Sequence, residues 1–202
     1  MGDEAAEHRW TSGELDAFHR TEIPSLHAYR LALCAAVERD VPYFDPLDGG
    51  EHAEVLILLE RPTRKGAHPR VVSRDNRSPT QKNLKRFLNA SGVDRKTTVL
   101  WNLVPWLPAT GTSRNRPTSK AEIREGLDHL PELLQAVPNL RIAVLAGKIA
   151  GMAEPVIAEA RPDVTSLHMP HPSPVYVNTS PAILNRIHAC LERVPKLLAK
   201  VE

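Results

Sequence analysis

His171-Pro172-Ser173-Pro174 is the most distinctive tetrapeptide of the chain. A neutral imidazole held between prolines can donate one fixed hydrogen bond to an oxygen that gains negative charge. Asn102, in Asn102-Leu103-Val104-Pro105-Trp106, carries an amide that both donates and accepts. Glu60, in Glu60-Arg61-Pro62-Thr63, adds a carboxylate. Together they suit a reaction in which charge moves onto a departing group inside a dry pocket. Other chemistries have no support. There is no GxGxxG or GxxxxGK[ST] loop, so no nucleotide cofactor is expected. There is no GxSxG turn, which excludes the α/β-hydrolase arrangement. The nine His form no HxxxH pair and Cys34 and Cys190 stand alone, so neither a metal site nor an iron–sulfur cluster is expected.

These residues must be held by elements, and the chain alternates helices with apolar runs. Residues 13–40 read as helical with a break near Pro24. Ala53 to Leu59 is a continuous apolar run, as a buried parallel strand requires. A basic loop from Glu60 to Arg77 follows. Ser78-Pro79-Thr80-Gln81 opens a helix that runs to about Ala90 and stops at Gly92. Thr97 to Leu103 is a second strand, and a proline-containing loop runs from Val104 to Pro117. Ser119-Lys120-Ala121-Glu122 is a capping box for a helix reaching about Ala136. Arg141 to Ala146 is a third strand ended by Gly147; the next helix is interrupted at Pro155. Val164 to His168 is a fourth strand, and Ser180-Pro181 starts a last helix that ends near Pro195. Such alternation predicts an α/β fold, a three-layer α/β/α sandwich with a central, mostly parallel four-stranded sheet. In such sheets ligands bind beyond the carboxyl ends of the strands. Glu60, Asn102, Gly147-Lys148 and His171 all fall there.

Composition narrows the class. At 202 residues, 42% hydrophobic and 25% charged, the chain is an ordinary single globular domain, residues 1–202, with 1–50 as a helical extension packed on it. No apolar run reaches membrane length, and no secretory signal is visible in MGDEAAEHRW. A cytoplasmic, reducing setting and a monomer are expected. Between Arg61 and Lys96 there are eleven Lys/Arg against Asp75 and Asp94, a local charge of +9 in a chain of net +2. Arg114, Arg116 and Lys120 add a second basic cluster. A positive face of this kind fits a polyanion such as nucleic acid; the competing reading is a solvated loop paired with acids elsewhere.

The HPSP tetrapeptide, the strand-end Asn102 and Glu60-Arg61-Pro62-Thr63, in this order over roughly Ala53 to Leu198, resemble the uracil-DNA glycosylase superfamily. Arg114-Asn115-Arg116-Pro117 is also similar to a segment of its thermophile-type branch. The resemblance implies a DNA partner and hydrolysis of the N-glycosidic bond of uracil or a related deaminated base, with the base flipped out of the stack. It implies that His171 donates to the leaving base and that Asn102 pairs with its edge. It implies pocket contacts from Arg61, Pro62, Thr63, Val72, Ser73 and Trp106. Ser78, Ser173, Pro174, Gly147 and Lys148 would hold the backbone phosphates, and Val175 with Tyr176 would wedge into the duplex. Arg114 and Arg116 would join the DNA contacts.

The sequence departs from this family in two places. An Asp that positions the attacking water in the best-known branch is replaced by Arg61, or by Thr63 if the motif slides, leaving Glu60 as the nearest carboxylate. No Phe or Tyr occurs in Val71-Val72-Ser73, where a stacking aromatic is expected, so either another side chain stacks, with Trp106 and His68 the candidates, or base binding is weaker. Iron–sulfur branches need four cysteines, so a cluster-free group is implied. No lysine occupies a Schiff-base position, so a monofunctional enzyme is expected. Two alternatives remain. One is a DNA-binding protein that kept the fold and lost the chemistry. The other is a hydrolase or sensor of small nucleosides, which does not need the basic face.

Overall fold

A computed structural model describes residues 10–62, 69–107 and 117–200. Thr63, His68, Arg114 and Arg116 therefore lie outside the described residues.

Four strands form the central sheet: β2 (Val55–Leu59), β4 (Thr98–Asn102), β5 (Ile142–Ala146) and β6 (Thr165–Met169). Their order is β4-β2-β5-β6, and every pairing is parallel. Val55–Leu59, Thr98–Asn102 and Ile142–Ala146 are buried at every residue, as strands covered on both faces must be. The edge strand β6 instead alternates, with Leu167 and Met169 buried and Thr165 and His168 exposed.

Right-handed crossovers dictate where the helices go. From β2 the chain moves outward to β4 through α3 (Pro79–Ala90). From β4 it crosses back to β5 through α4 (Lys120–Asp128) and α5 (Leu130–Gln135), and α6 (Glu154–Ala160) leads on to β6. The reversal puts α3 on one face and α4, α5 and α6 on the other. The contacts agree: α3 meets α7 (Pro174–Val177) and α8 (Pro181–Leu191), and α8 meets α9 (Arg193–Leu198). On the opposite side α5 touches α4, α6 and α2 (Pro24–Val37), and α2 touches α1 (Ser12–Glu22). The result is the three-layer α/β/α sandwich that the alternation predicts, with a sheet that is wholly rather than mostly parallel.

Three local differences from the sequence reading have plain causes. The helix expected from Ser119 to Ala136 is two, divided at His129, because Pro131 cannot continue the hydrogen-bond ladder of α4. The last helix divides at Glu192, upstream of Pro195. The basic loop hides a two-residue strand, β3 (Val71–Val72), which pairs in parallel with β1 (Tyr43–Phe44).

The amino-terminal helices are part of the core. Leu15, Leu26, Leu33 and Val37 are buried. Phe44 stacks on Trp101 of β4 with ring centroids 3.8 Å apart and planes 13° from parallel, and Tyr29 meets the same indole at 6.1 Å. Arg30 lies over the Tyr43 ring at 3.5 Å and donates to the carbonyls of Val41 and Pro42. These contacts fix β1 beside β3.

Candidate active site

The order of the connections reverses between β2 and β5, and a crevice forms beyond the carboxyl ends at such a point. Leu59 and Asn102 are in register at the ends of β2 and β4, as are Ala146 and Met169 at the ends of β5 and β6. Pairing of the first two continues one step beyond the strands: Leu103 N–H donates to the Leu59 carbonyl at 2.8 Å and Val104 N–H to the Glu60 carbonyl at 2.9 Å. Glu60 thereby has a fixed backbone. Asn102 is 3% exposed, and it lies on the opposite face of β4 from its neighbour Trp101.

His171 follows β6 by two residues and is half-buried. Its Nδ1 accepts from the Ser173 backbone N–H at 3.3 Å. A ring nitrogen that accepts carries no proton, so the neutral ring has its N–H at Nε2. Burial pushes the His171 pKa below its ordinary value, and the nearby Glu60 charge opposes that shift without cancelling it. The imidazole is therefore a neutral donor near pH 7.

The loops around it are closely fitted. Gly147 has φ +93°, a conformation that favours glycine. A Cβ there would meet His171 Cβ at 2.9 Å. Gly147 N–H donates to the Met169 carbonyl at 2.9 Å, which ties the turn after β5 to the end of β6. Asn83 of α3 donates to the Pro172 carbonyl at 3.0 Å. Thr118, just before α4, donates from Oγ1 to Glu60 Oε1 at 2.5 Å. Neither Asn83 nor Thr118 was singled out in the sequence. Both act across long separations, and no local pattern marks such a partner.

The remaining candidates fall into distinct places. Arg61 and Pro62 continue the chain from Glu60 and are half-buried. Ser78 caps α3, its Oγ accepting from Gln81 N–H at 3.2 Å. Ser173 begins α7 without a side-chain cap bond, and Pro174 is its first residue. Val175 and Tyr176 are 78% and 54% exposed beside His171, and the Tyr176 ring stands edge-on to the imidazole at 6.2 Å. Lys148 is exposed. Val72 is buried and pairs with Phe44, and Ser73 Oγ accepts from Asp75 N–H at 3.0 Å. Those two residues build the loop. Trp106 is 1% exposed, with Arg39 over its ring at 5.2 Å.

The basic segment is corrected in part. Arg95 bridges Asp45, Asp48 and Asp75 at 2.5, 3.0 and 2.5 Å. Arg74 is buried beside Asp48, Lys85 pairs with Asp75 at 2.6 Å, and Arg70 lies 3.9 Å from Asp40. These four cations serve internal acids. Among the described residues, no group of three or more His, Cys, Asp or Glu could hold a metal ion, and no helix is long and apolar enough to cross a membrane.

A search of curated proteins finds no match to this chain. The family model described as the uracil DNA glycosylase superfamily matches residues 46–194, a span that contains Glu60, Asn102, Gly147 and His171. With that span covering well over half of its length, the chain belongs to the uracil DNA glycosylase superfamily.

Proposed function

We propose that the protein is a monofunctional DNA glycosylase that hydrolyses the N-glycosidic bond of uracil, or of a related deaminated base, in DNA. The observation that carries this reading is His171: a neutral, half-buried imidazole whose donor is fixed at Nε2 at the carboxyl end of the sheet. As the bond from C1′ to the base nitrogen breaks, its electron pair stays with the base. Nε2–H stabilises the oxygen that takes up that charge. Asn102 pairs with the imide edge, for which an amide has both a donor and an acceptor. Water adds to C1′ and its proton passes to Glu60, whose carboxylate is held by Thr118. The base finally takes up a proton and leaves an abasic site. Extruding it costs a few kcal/mol. Val175 and Tyr176, exposed next to His171, are suited to fill the vacated stack.

The test uses oligonucleotides with one uracil opposite G, opposite A or unpaired, followed by alkaline cleavage at abasic sites. His171→Ala and Asn102→Ala are expected to lose about 10²- to 10³-fold in rate, the usual effect of removing one anion-stabilising donor. Glu60→Gln tests the base separately. Salt-sensitive DNA binding with no strand breaks would instead favour a binder without catalysis, the reading that Arg61 in place of an Asp suggests.

A further inference from the structure

We propose that Asn83 is a positioning residue for His171, acting through the single peptide unit that joins Pro172 to Ser173. This inference rests on the glycosylase reading for its kinetic consequences. That peptide is held at both ends. Its carbonyl accepts from Asn83 Nδ2 at 3.0 Å, and its N–H donates to His171 Nδ1 at 3.3 Å. Asn83 is half-buried on α3, 89 residues away in sequence from the carbonyl it holds.

The geometry forms one directional chain: amide N–H to carbonyl, then peptide N–H to imidazole Nδ1, and finally imidazole Nε2–H outward. Each donation polarises the next group in such a chain. Donation to the Pro172 carbonyl makes the Ser173 N–H a stronger donor. That bond requires an unprotonated Nδ1, so it favours the neutral ring and keeps the proton on Nε2. Pro172 has no backbone N–H, and its ring restricts rotation about N–Cα. On the far side, the Ser173 carbonyl accepts from Tyr176 and Val177 N–H, each at 3.0 Å, and the bonds made by the peptide itself are those to Asn83 and His171. Among the described residues, the other groups facing the imidazole are Glu60 at the end of β2, Gly147 after β5 and Tyr176 of α7. None of these three is bonded to that peptide in a way that could replace Asn83.

Asn83→Ala removes the donor; Asn83→Asp keeps the shape and supplies only acceptors when ionised. Thermal melting establishes that each is folded. Imidazole ¹⁵N signals of the full-length protein then give the His171 tautomer and titration. The expected result in both variants is a titration moved upward toward the ordinary histidine value and a loss of the single Nε2–H tautomer. On the uracil substrate, kcat is expected to fall roughly 10- to 100-fold, as for a small misplacement of a reacting group, with KM nearly unchanged. The acid limb of the kcat profile moves upward with the titration. Folded variants whose His171 signals match the wild type overturn the proposal, whatever the rates. A wild type inactive on every substrate would overturn the glycosylase reading, while the imidazole signals would still decide the part played by Asn83.

Discussion

Gly147 sets how closely the turn after β5 can approach His171. Any side chain there faces two penalties: a φ of +93°, and a Cβ contact of 2.9 Å with the His171 side chain. Gly147→Ala is therefore expected to cost at least about 1–2 kcal/mol of stability from the backbone conformation alone. It should also displace the imidazole and lower kcat more than KM. Denaturant unfolding and single-turnover kinetics read the two effects apart. The sequence makes Gly147, Asn102 and Glu60 legible because each stands at the end of an apolar run that can be counted, and His171 because of the tetrapeptide it opens. Asn83 and Thr118 are not legible in that way. Asn83 looks like one more polar position on an amphipathic helix, and Thr118 looks like the residue before a helix cap. Only the folded chain brings them to Pro172 and Glu60.

Among the elements, α1 and β1 meet at His19, which is fully buried with its Nε2 3.1 Å from the Phe44 carbonyl. Burial lowers its pKa to about 4, and the neighbouring Arg30 and His27 push in the same direction against the bond to Phe44 and the charge of Asp16. The unfolded chain takes up this proton near pH 6.5, whereas the native state resists until about pH 4. Stability contributed by the neutral ring is thus present above pH 6.5 and is lost as the pH falls toward 4. Between pH 7 and pH 5 the share of His19 in that loss is about 2 kcal/mol. Burial raises the Asp48 carboxyl to about 7, so that group gains stability over the same window, and the share of His19 is read as the difference in urea unfolding between the wild type and His19→Gln at the two pH values. Three core strands, β2, β4 and β5, were readable from their apolar runs, and β6, where Thr165, Ser166 and His168 interrupt the pattern, from its place in the alternation. The paired β1 and β3 were not, since two residues carry no period and their pairing joins segments on either side of β2. The split of α4 from α5 could have been read from Pro131, which the helix expected from Ser119 overran.

Over the whole molecule, the count of basic residues overstates the charge offered to DNA. Arg70, Arg74, Lys85 and Arg95 face carboxylates of the same chain. Removing Lys85 or Arg70 by substitution with Ala should leave the salt dependence of DNA binding unchanged, because each is already matched with a carboxylate of the chain. Lys148→Ala should reduce the slope of log K against log[salt] by about 0.9. Titrations of duplex binding over a range of salt distinguish the two classes. Composition alone could not divide them, since pairing is decided by the two segments after β1 and β3 that bring Asp45, Asp48 and Asp75 around Arg95. The stacked pair of Phe44 and Trp101 has a wider meaning. The family match begins at residue 46, two positions beyond Phe44, yet the indole under that ring belongs to β4 and stands next to Asn102. The span of the family match and the span of the packed core therefore do not coincide in this chain. What precedes the match is mortar for the strand that carries Asn102, and a copy trimmed to the matched segment would begin with a hole beside that strand.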